Sequence, residues 1–361
     1  MKRKIKKKPI AFLFIIVFSI AFIINFIFYS HKSSFESKLI RIGFSRKDAH
    51  LIVKNVPMDS YSSISKYDRS IINLINAKGY KSENFDKYVY YYDKNKNSNI
   101  EYIIIIVNSG YDVLNYPASS MLSSLVNEKY FIESKTARYL DYGNENDVPV
   151  SKIISIVNSN VDYGFYNKSF NSDLDDDTII LVNKFYRLPN DYEPSDLVTL
   201  TSDYNKGNNG MMRKKAAEAF MKMVDAARLD NIIIRNSSAY RSFGYQVSLY
   251  EGYVKSEGES MADIYSARAG YSEHQTGLCT DINTIDSSFD GTDESNWLIK
   301  NAYKYGFILR FPKDKEDITG YKYEPWHYRY VGEKAASIIY TEDLTLEEYY
   351  AFYIENKWFI L

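Results

Sequence analysis

The chain is poor in the residues from which cross-links and thiolate metal sites are made: among 361 residues it has one cysteine, Cys279. An intrachain disulfide is thereby excluded, and so is a zinc site built from several thiolates. Histidine is almost as scarce, occurring only as His31, His50, His274 and His327. A strong charge of either sign is also missing, since the formal net charge is −1. The balance is uneven, however. Lys2, Arg3, Lys4, Lys6, Lys7 and Lys8 lie among the first nine residues with no acid, which leaves −7 for the remainder. An acidic body argues against a nucleic-acid partner. What the chain does have is length for two domains, or for one domain with a long extension, and a hydrophobic share of 45%, enough for ordinary cores.

One long apolar run stands out, residues 10–29 (IAFLFIIVFSIAFIINFIFY), of the length that spans a bilayer. The cationic residues before it are expected to stay in the cytoplasm, so that 1–9 is a basic cytoplasmic tail, 10–29 a single-pass anchor and everything after it extracellular. A cleaved signal peptide is the competing reading. The run is longer than the apolar part of such a peptide, and no small-x-small site follows in YSHKSSFESK.

Residues 36–175 read as a mainly helical extension. The segments around Gly43-Phe44 and Gly79-Tyr80 resemble each other weakly, as a degenerate repeat or by chance. IEYIIIIVNS (100–109) reads as a strand from its β-branched run. The acidic stretch 172–177 reads as a linker, without the ligand spacing of a calcium loop. A second domain is expected over 178–340, with 341–361 as a C-terminal segment. Within it, Ala216, Phe220, Met223, Val224 and Ala227 recur at helical spacing, and TIILV, IIIRNSS and LCTDIN read as strands. The fold class is α+β: a small antiparallel sheet with flanking helices, carrying a metal site.

His274 precedes a glycine turn and LCTDIN, whose alternation puts Cys279 and Asp281 on one face. Glu324 and His327 flank Pro325, which breaks strand regularity and allows both side chains to converge. Two imidazoles and a carboxylate make a three-ligand zinc set with a fourth position for water, and a further acid, Glu324, is then needed to take that water's proton.

SAYRS (238–242), YSARAGYSEHQTGL (265–278), Asp281, GFILRFP (306–312), ITGYKYEPWH (318–327) and YRYVG (328–332) resemble the VanY-type D-alanyl-D-alanine carboxypeptidase family, zinc peptidases of peptidoglycan with L,D-carboxypeptidases among their relatives. The resemblance covers residues 180–335. It implies one zinc held by His274, Asp281 and His327, Glu324 as general base, Arg241 as the group that meets the substrate carboxylate or carbonyl oxygen, and Ser272 and Gln246 as further substrate contacts. The family pattern departs at Cys279, where a small Ala is usual, at Ala269 and Tyr271, where Pro and His are common, and at Phe311, which lacks the hydroxyl of the common Tyr. Cys279 is read as a small buried residue rather than a fourth ligand or redox switch. The expected activity is removal of the terminal D-Ala from stem peptides; the alternatives are an L,D-carboxypeptidase or endopeptidase, or a silent zinc-containing wall-binding module.

Overall fold

In the computed structural model, which describes residues 8–355, helix α1 runs unbroken over Lys8–Arg41. The basic tail expected at 1–9 lies outside the described residues except for its last two, as do residues 356–361 of the C-terminal segment. A helix of this length rises about 50 Å, more than the roughly 30 Å of a bilayer's hydrocarbon. Phe18, Phe22 and Phe26 are exposed on it, while Phe35 and Leu39 are buried with Phe44, Ala49, Ile52 and Val53. It is apolar and long enough to cross a membrane, and it continues past the expected end at 29 into a packed core.

The chain divides into two units, Met1–Thr136 and Ala137–Leu361; residues 137–175, grouped above with the extension, fall in the second. The first unit is helical: after α1 come α2 (Arg46–Asn55), α3 (Ser70–Asn76), α4 (Phe85–Lys94), α5 (Ile100–Ser109) and α6 (Ser120–Leu125). The strand expected at 100–109 is corrected to helix α5. Asn99 caps it by accepting from the Glu101 N–H, Gly110 ends it at φ 79°, and Ile103, Ile104, Ile106 and Val107 are buried. Caps and packing override the weak helix propensity of β-branched residues.

A stronger internal repeat than the one around Gly43 and Gly79 emerges. The turn Ser82–Asn84, α4 and α5 return, in the same order, as the turn Glu133–Lys135, α7 (Thr136–Glu145) and α8 (Val150–Asn158). Ile-Ile-x-Ile-Val-Asn-Ser occurs at 103–109 and again at 153–159. In the first copy the Tyr88 hydroxyl donates to Asn108 Oδ1 (2.5 Å); in the second the Tyr139 hydroxyl donates to Asn158 Oδ1 (2.6 Å).

Beyond α8, the second unit contains three sheets among the described residues. β1 (Phe170–Asn171) pairs with β2 (Tyr186–Arg187), and β3 (Leu197–Thr199) with β5 (Met211–Arg213). The main sheet has the order β4 (Asn205–Asn209), β6 (Asn236–Ser238), β7 (Cys279–Ile282), β9 (His327–Tyr330), β8 (Phe307–Leu309). It is antiparallel except that β4 runs parallel to β6, a correction to the purely antiparallel expectation. Helix α9 (Lys214–Leu229) buries Phe220, Met223, Val224 and Ala227 with Ile234, Leu278, Ile282 and Phe307. Helices α10 (Phe243–Glu257), α11 (Glu259–Tyr265), α12 (Asp293–Asn301), α13 (Glu316–Thr319), α14 (Glu333–Glu342) and α15 (Leu346–Tyr349) complete the α+β arrangement. The apolar run 179–182 is buried but forms no strand; the carbonyls of Thr178 and Ile180 accept instead from the buried Arg329 guanidinium.

Candidate active site

His274 sits in the single turn Glu273–Thr276, which Gly277 closes at φ 66°. A side chain at 277 would meet Leu197 at 2.9 Å, so glycine is needed both for the backbone angle and for the space. The turn feeds β7, which pairs with β9 in a register that sets Asp281 opposite His327. His274 Nδ1 donates to the Ala239 carbonyl at 2.6 Å. A carbonyl can only accept, so Nε2 presents its lone pair, 3.5 Å from Asp281 Oδ2. His327 Nδ1 lies 3.0 Å from Asp281 Oδ1. All three side chains are buried. Burial raises the Asp281 carboxyl, but the two imidazoles and Arg241 outweigh it and hold the group well below the usual carboxylate range. Burial, with Arg241 close by, lowers His274 to about 3.

Pro325 and Trp326 make the turn that the sequence suggested. The His327 N–H donates to the Glu324 carbonyl (3.1 Å), and Glu324 Oε2 comes within 3.8 Å of His327 Nδ1. Burial raises the Glu324 carboxyl to about 7, with His327 pulling it down and Asp281 pushing it up. Glu324 therefore stands at the edge of the His274–Asp281–His327 cluster.

Arg241 follows β6, which pairs with β7. Its guanidinium donates to Gln246 Oε1 (3.1 Å) and Asp281 Oδ2 (3.3 Å). Gln246, buried in α10, also donates to the Ala267 carbonyl (2.8 Å), so its side chain orients Arg241. Arg241, Gln246, Ser272 and Glu324 all line one cleft of about 680 Å³, with His274, Asp281 and His327 at its base. The structure thus brings every expected site residue to one place.

The donors are two imidazole nitrogens and a carboxylate, buried and within 3.5 Å of one another in pairs through Asp281. That chemistry fits a three-ligand zinc site with an open position. Cys279 joins the same face: its sulfur and one ring nitrogen of each histidine form a group within 4.8 Å. Burial pushes this thiol up, with His327 pulling it down.

Phe311 packs its ring against His327 and Tyr321, at 5.0 and 4.7 Å between centroids. Tyr271 ties the cleft to the segment before β1: its hydroxyl donates to Ser169 Oγ (2.9 Å), and its ring meets Tyr166 edge-on. Sequence reasoning missed Glu273, Arg310 and Arg329. Each lies inside a motif already singled out, but burial is what reveals them. Arg310 Nε and Arg329 Nη1 both donate to Glu273 Oε1, at 2.7 and 2.8 Å.

Residues 209–333 match the family model VanY, D-alanyl-D-alanine carboxypeptidase. The chain is 46% identical over 181 residues to the putative carboxypeptidase YodJ of Bacillus subtilis, covering 48% of this chain and 66% of that protein. It is 37% identical over 190 residues to a D-alanyl-D-alanine carboxypeptidase of Enterococcus faecium, covering 50% and 59%. It is 34% identical over 182 residues to the bifunctional D-Ala-D-Ala dipeptidase and D-Ala-D-Ala carboxypeptidase VanXYC of Enterococcus gallinarum, covering 48% and 93%. Among solved structures, the LdcB LD-carboxypeptidase is 43% identical, over 50% of this chain and 94% of that one, with a TM-score of 0.47. The chain thus spans just under two thirds of the Bacillus protein and less of the E. faecium one, while covering nearly all of VanXYC. On that coverage, and with the ligand-type cluster in place, the chain belongs to the VanY D-alanyl-D-alanine carboxypeptidase family.

Proposed function

We propose that this protein is a zinc-dependent carboxypeptidase that removes the C-terminal D-residue from peptidoglycan stem peptides. The observation that carries the proposal is a single carboxylate, Asp281, lying against both imidazoles, with a second carboxylate, Glu324, at the cluster's edge and a guanidinium, Arg241, beside it. His274, Asp281 and His327 would hold the metal. When bound, zinc supplies a Lewis acid that makes water nucleophilic at neutral pH and polarises the scissile carbonyl. Glu324 takes the proton from the attacking water and returns it to the leaving amine. Arg241 offers a planar, permanently charged fork to the free carboxylate or the developing oxyanion, and Gln246 keeps that fork aimed into the cleft. Ser272 stands on the cleft wall as a further contact.

The relatives named as D-alanyl-D-alanine carboxypeptidases support cleavage at a D,D bond. The apolar Phe311 ring beside His327 favours carrying an L,D bond as a second assignment, because the wall there lacks the hydroxyl expected of the family. We also place α1 in the membrane, with residues 1–9 inside and the body facing the wall, and assign 36–175 as an extracellular extension ahead of the peptidase residues 178–340.

The test is incubation of the full chain, in detergent, with purified muropeptides, followed by mass spectrometry and zinc analysis of the same sample. Loss of one alanine from a pentapeptide assigns D,D cleavage; loss from a tetrapeptide assigns L,D cleavage. A zinc-loaded chain that alters neither is a wall-binding module and overturns the proposal.

A further inference from the structure

Next to His327, four charged side chains are almost wholly removed from water: Glu273, Arg310, Arg329 and Glu347. Both oxygens of Glu347 accept from Arg310, at 2.6 and 2.9 Å, in a bidentate pair. Arg310 Nε and Arg329 Nη1 both donate to one oxygen of Glu273, Oε1. Two carboxylates thus balance two guanidinium groups, and Glu273 is left with a second oxygen, Oε2. This oxygen is buried and has no hydrogen-bond partner. Facing it at 3.5 Å is His327 Nε2, also buried and without a hydrogen-bond partner.

Two orphaned polar atoms 3.5 Å apart are unusual in a folded interior, where such groups are nearly always satisfied. Their chemistry says how they use one another. Both ring nitrogens of His327 face carboxylates that can only accept, Nδ1 facing Asp281 Oδ1 at 3.0 Å and Nε2 facing Glu273 Oε2 at 3.5 Å. With a metal on the Nδ1 lone pair beside Asp281, the one remaining ring proton belongs on Nε2, where Glu273 Oε2 accepts it. Glu273 is adjacent in sequence to His274, so consecutive residues of one turn serve the two ligand positions: His274 is itself a metal donor, while its neighbour addresses the second ring nitrogen of the other one.

We propose that Glu273 is a positioning residue that fixes the His327 ring and tautomer for metal binding, and that Glu347 acts through Arg310 to hold Glu273 in place. This rests on the metal reading of the cluster given above. Glu347 belongs to α15, beyond the end of the family match at 333. A carboxylate outside the recognised domain thus completes the support of a metal ligand within it. Asn183 steadies Glu347 from the other side, donating to Oε1 at 3.1 Å.

The experiment compares the full-length wild type in detergent with Glu273→Gln, Glu347→Gln and the double variant. Zinc affinity is read by competition with a chromophoric chelator, the ligand field by the visible spectrum of the cobalt(II)-loaded protein, and folding by near-ultraviolet circular dichroism. Glu273→Gln is expected to weaken zinc binding by about 10- to 100-fold, as loss of a carboxylate behind a metal-bound histidine does, and to shift the cobalt bands. Glu347→Gln should act in the same direction by a smaller factor. The double variant should bind zinc no worse than Glu273→Gln alone, because one residue acts through the other. Additive losses would remove Glu347 from the relay. A folded Glu273→Gln with wild-type affinity and spectrum overturns the proposal. If Glu273→Gln does not fold, Glu273→Asp decides: it keeps the charge between the two arginines but withdraws the oxygen from Nε2, and an unchanged cobalt spectrum there overturns the proposal. A wild type that takes up no zinc overturns the metal reading as well, whereas a zinc-binding wild type with indifferent variants overturns the relay alone.

Discussion

Glu324 and His327 face each other across a turn of their own making: the His327 N–H closes it on the Glu324 carbonyl, and the two side chains stand 3.8 Å apart. The acid is buried. Glu324→Gln keeps the shape and removes the basicity. The folded, zinc-loaded variant should lose at least about 100-fold in kcat, the usual cost of a missing general base. Zinc content and melting temperature on the same sample separate this from loss of a ligand. A variant of full activity would remove Glu324 from the mechanism.

Arg241→Lys should be far from conservative. Arg241 divides its donors between Gln246 and Asp281 while lining the cleft, and a lysine cannot reproduce that fork. The rate should fall mainly on peptides with a free C-terminus and much less on amidated ones. Equal losses on both would mean that Arg241 serves Asp281 and not the substrate carboxylate.

Removing Arg329 should destabilise the peptidase unit strongly. Its guanidinium meets Glu273 Oε1 and the carbonyls of Thr178 and Ile180 in the interior. Arg329→Leu leaves an under-compensated carboxylate and two carbonyls without their donor, a loss on the order of 3–5 kcal/mol. Urea unfolding is the measurement, and a change under about 1 kcal/mol would contradict the assignment.

Lys184 gives a pH dependence with a definite sign. Its ammonium is buried, donating to the carbonyls of Asp263 and Gly320 with the Tyr321 ring 4.4 Å from the nitrogen. Burial lowers it from 10.5 to about 8, against the pull of Asp263. Between those values the unfolded chain holds the proton more tightly than the folded one, and stability rises with pH wherever the unfolded state binds more protons. Wild type should therefore gain on Lys184→Met as the pH goes from 8 towards 10.5, with the full penalty present below 8. Paired urea titrations would show a pH-independent difference if Lys184 were not buried as a cation.

Protease treatment of intact cells should release fragments beginning beyond the apolar part of α1, because the cationic residues before it hold the amino terminus inside. Fragments that appear only after lysis would reverse the topology.

The site was more legible in the sequence than the scaffold around it. His274, Asp281, His327 and Glu324 are polar residues in short, unusual surroundings, and Pro325 and Gly277 announce the bends that bring them together. Residues 100–109 misled because a run of isoleucines looks like a strand until its caps, Asn99 and Gly110, are given weight. The strand expected at 179–182 failed because its carbonyls bond to a side chain distant in sequence, Arg329, which no local pattern encodes. Glu273 and Glu347 were invisible for the same reason: a buried charge and a surface charge are written with the same letter. The duplicated Tyr–Asn clasp was readable in principle, since Ile-Ile-x-Ile-Val-Asn-Ser stands twice in the chain, but it was hidden by the conspicuous glycine–aromatic pairs nearby.

The bond between Tyr271 and Ser169, the grip of Arg329 on Thr178 and Ile180, and the clamp of Glu347 on Arg310 all cross the limits of residues 209–333. The portable unit is therefore larger than the recognisable one. A transplant of 209–333 into another scaffold would carry every ligand-bearing residue and yet leave Arg310 without one of its two counter-charges, and Arg329 without the carbonyls it binds. Grafts and chimaeras of this protein should be cut outside Ser169 and Glu347, so that Arg310 and Arg329 keep these partners.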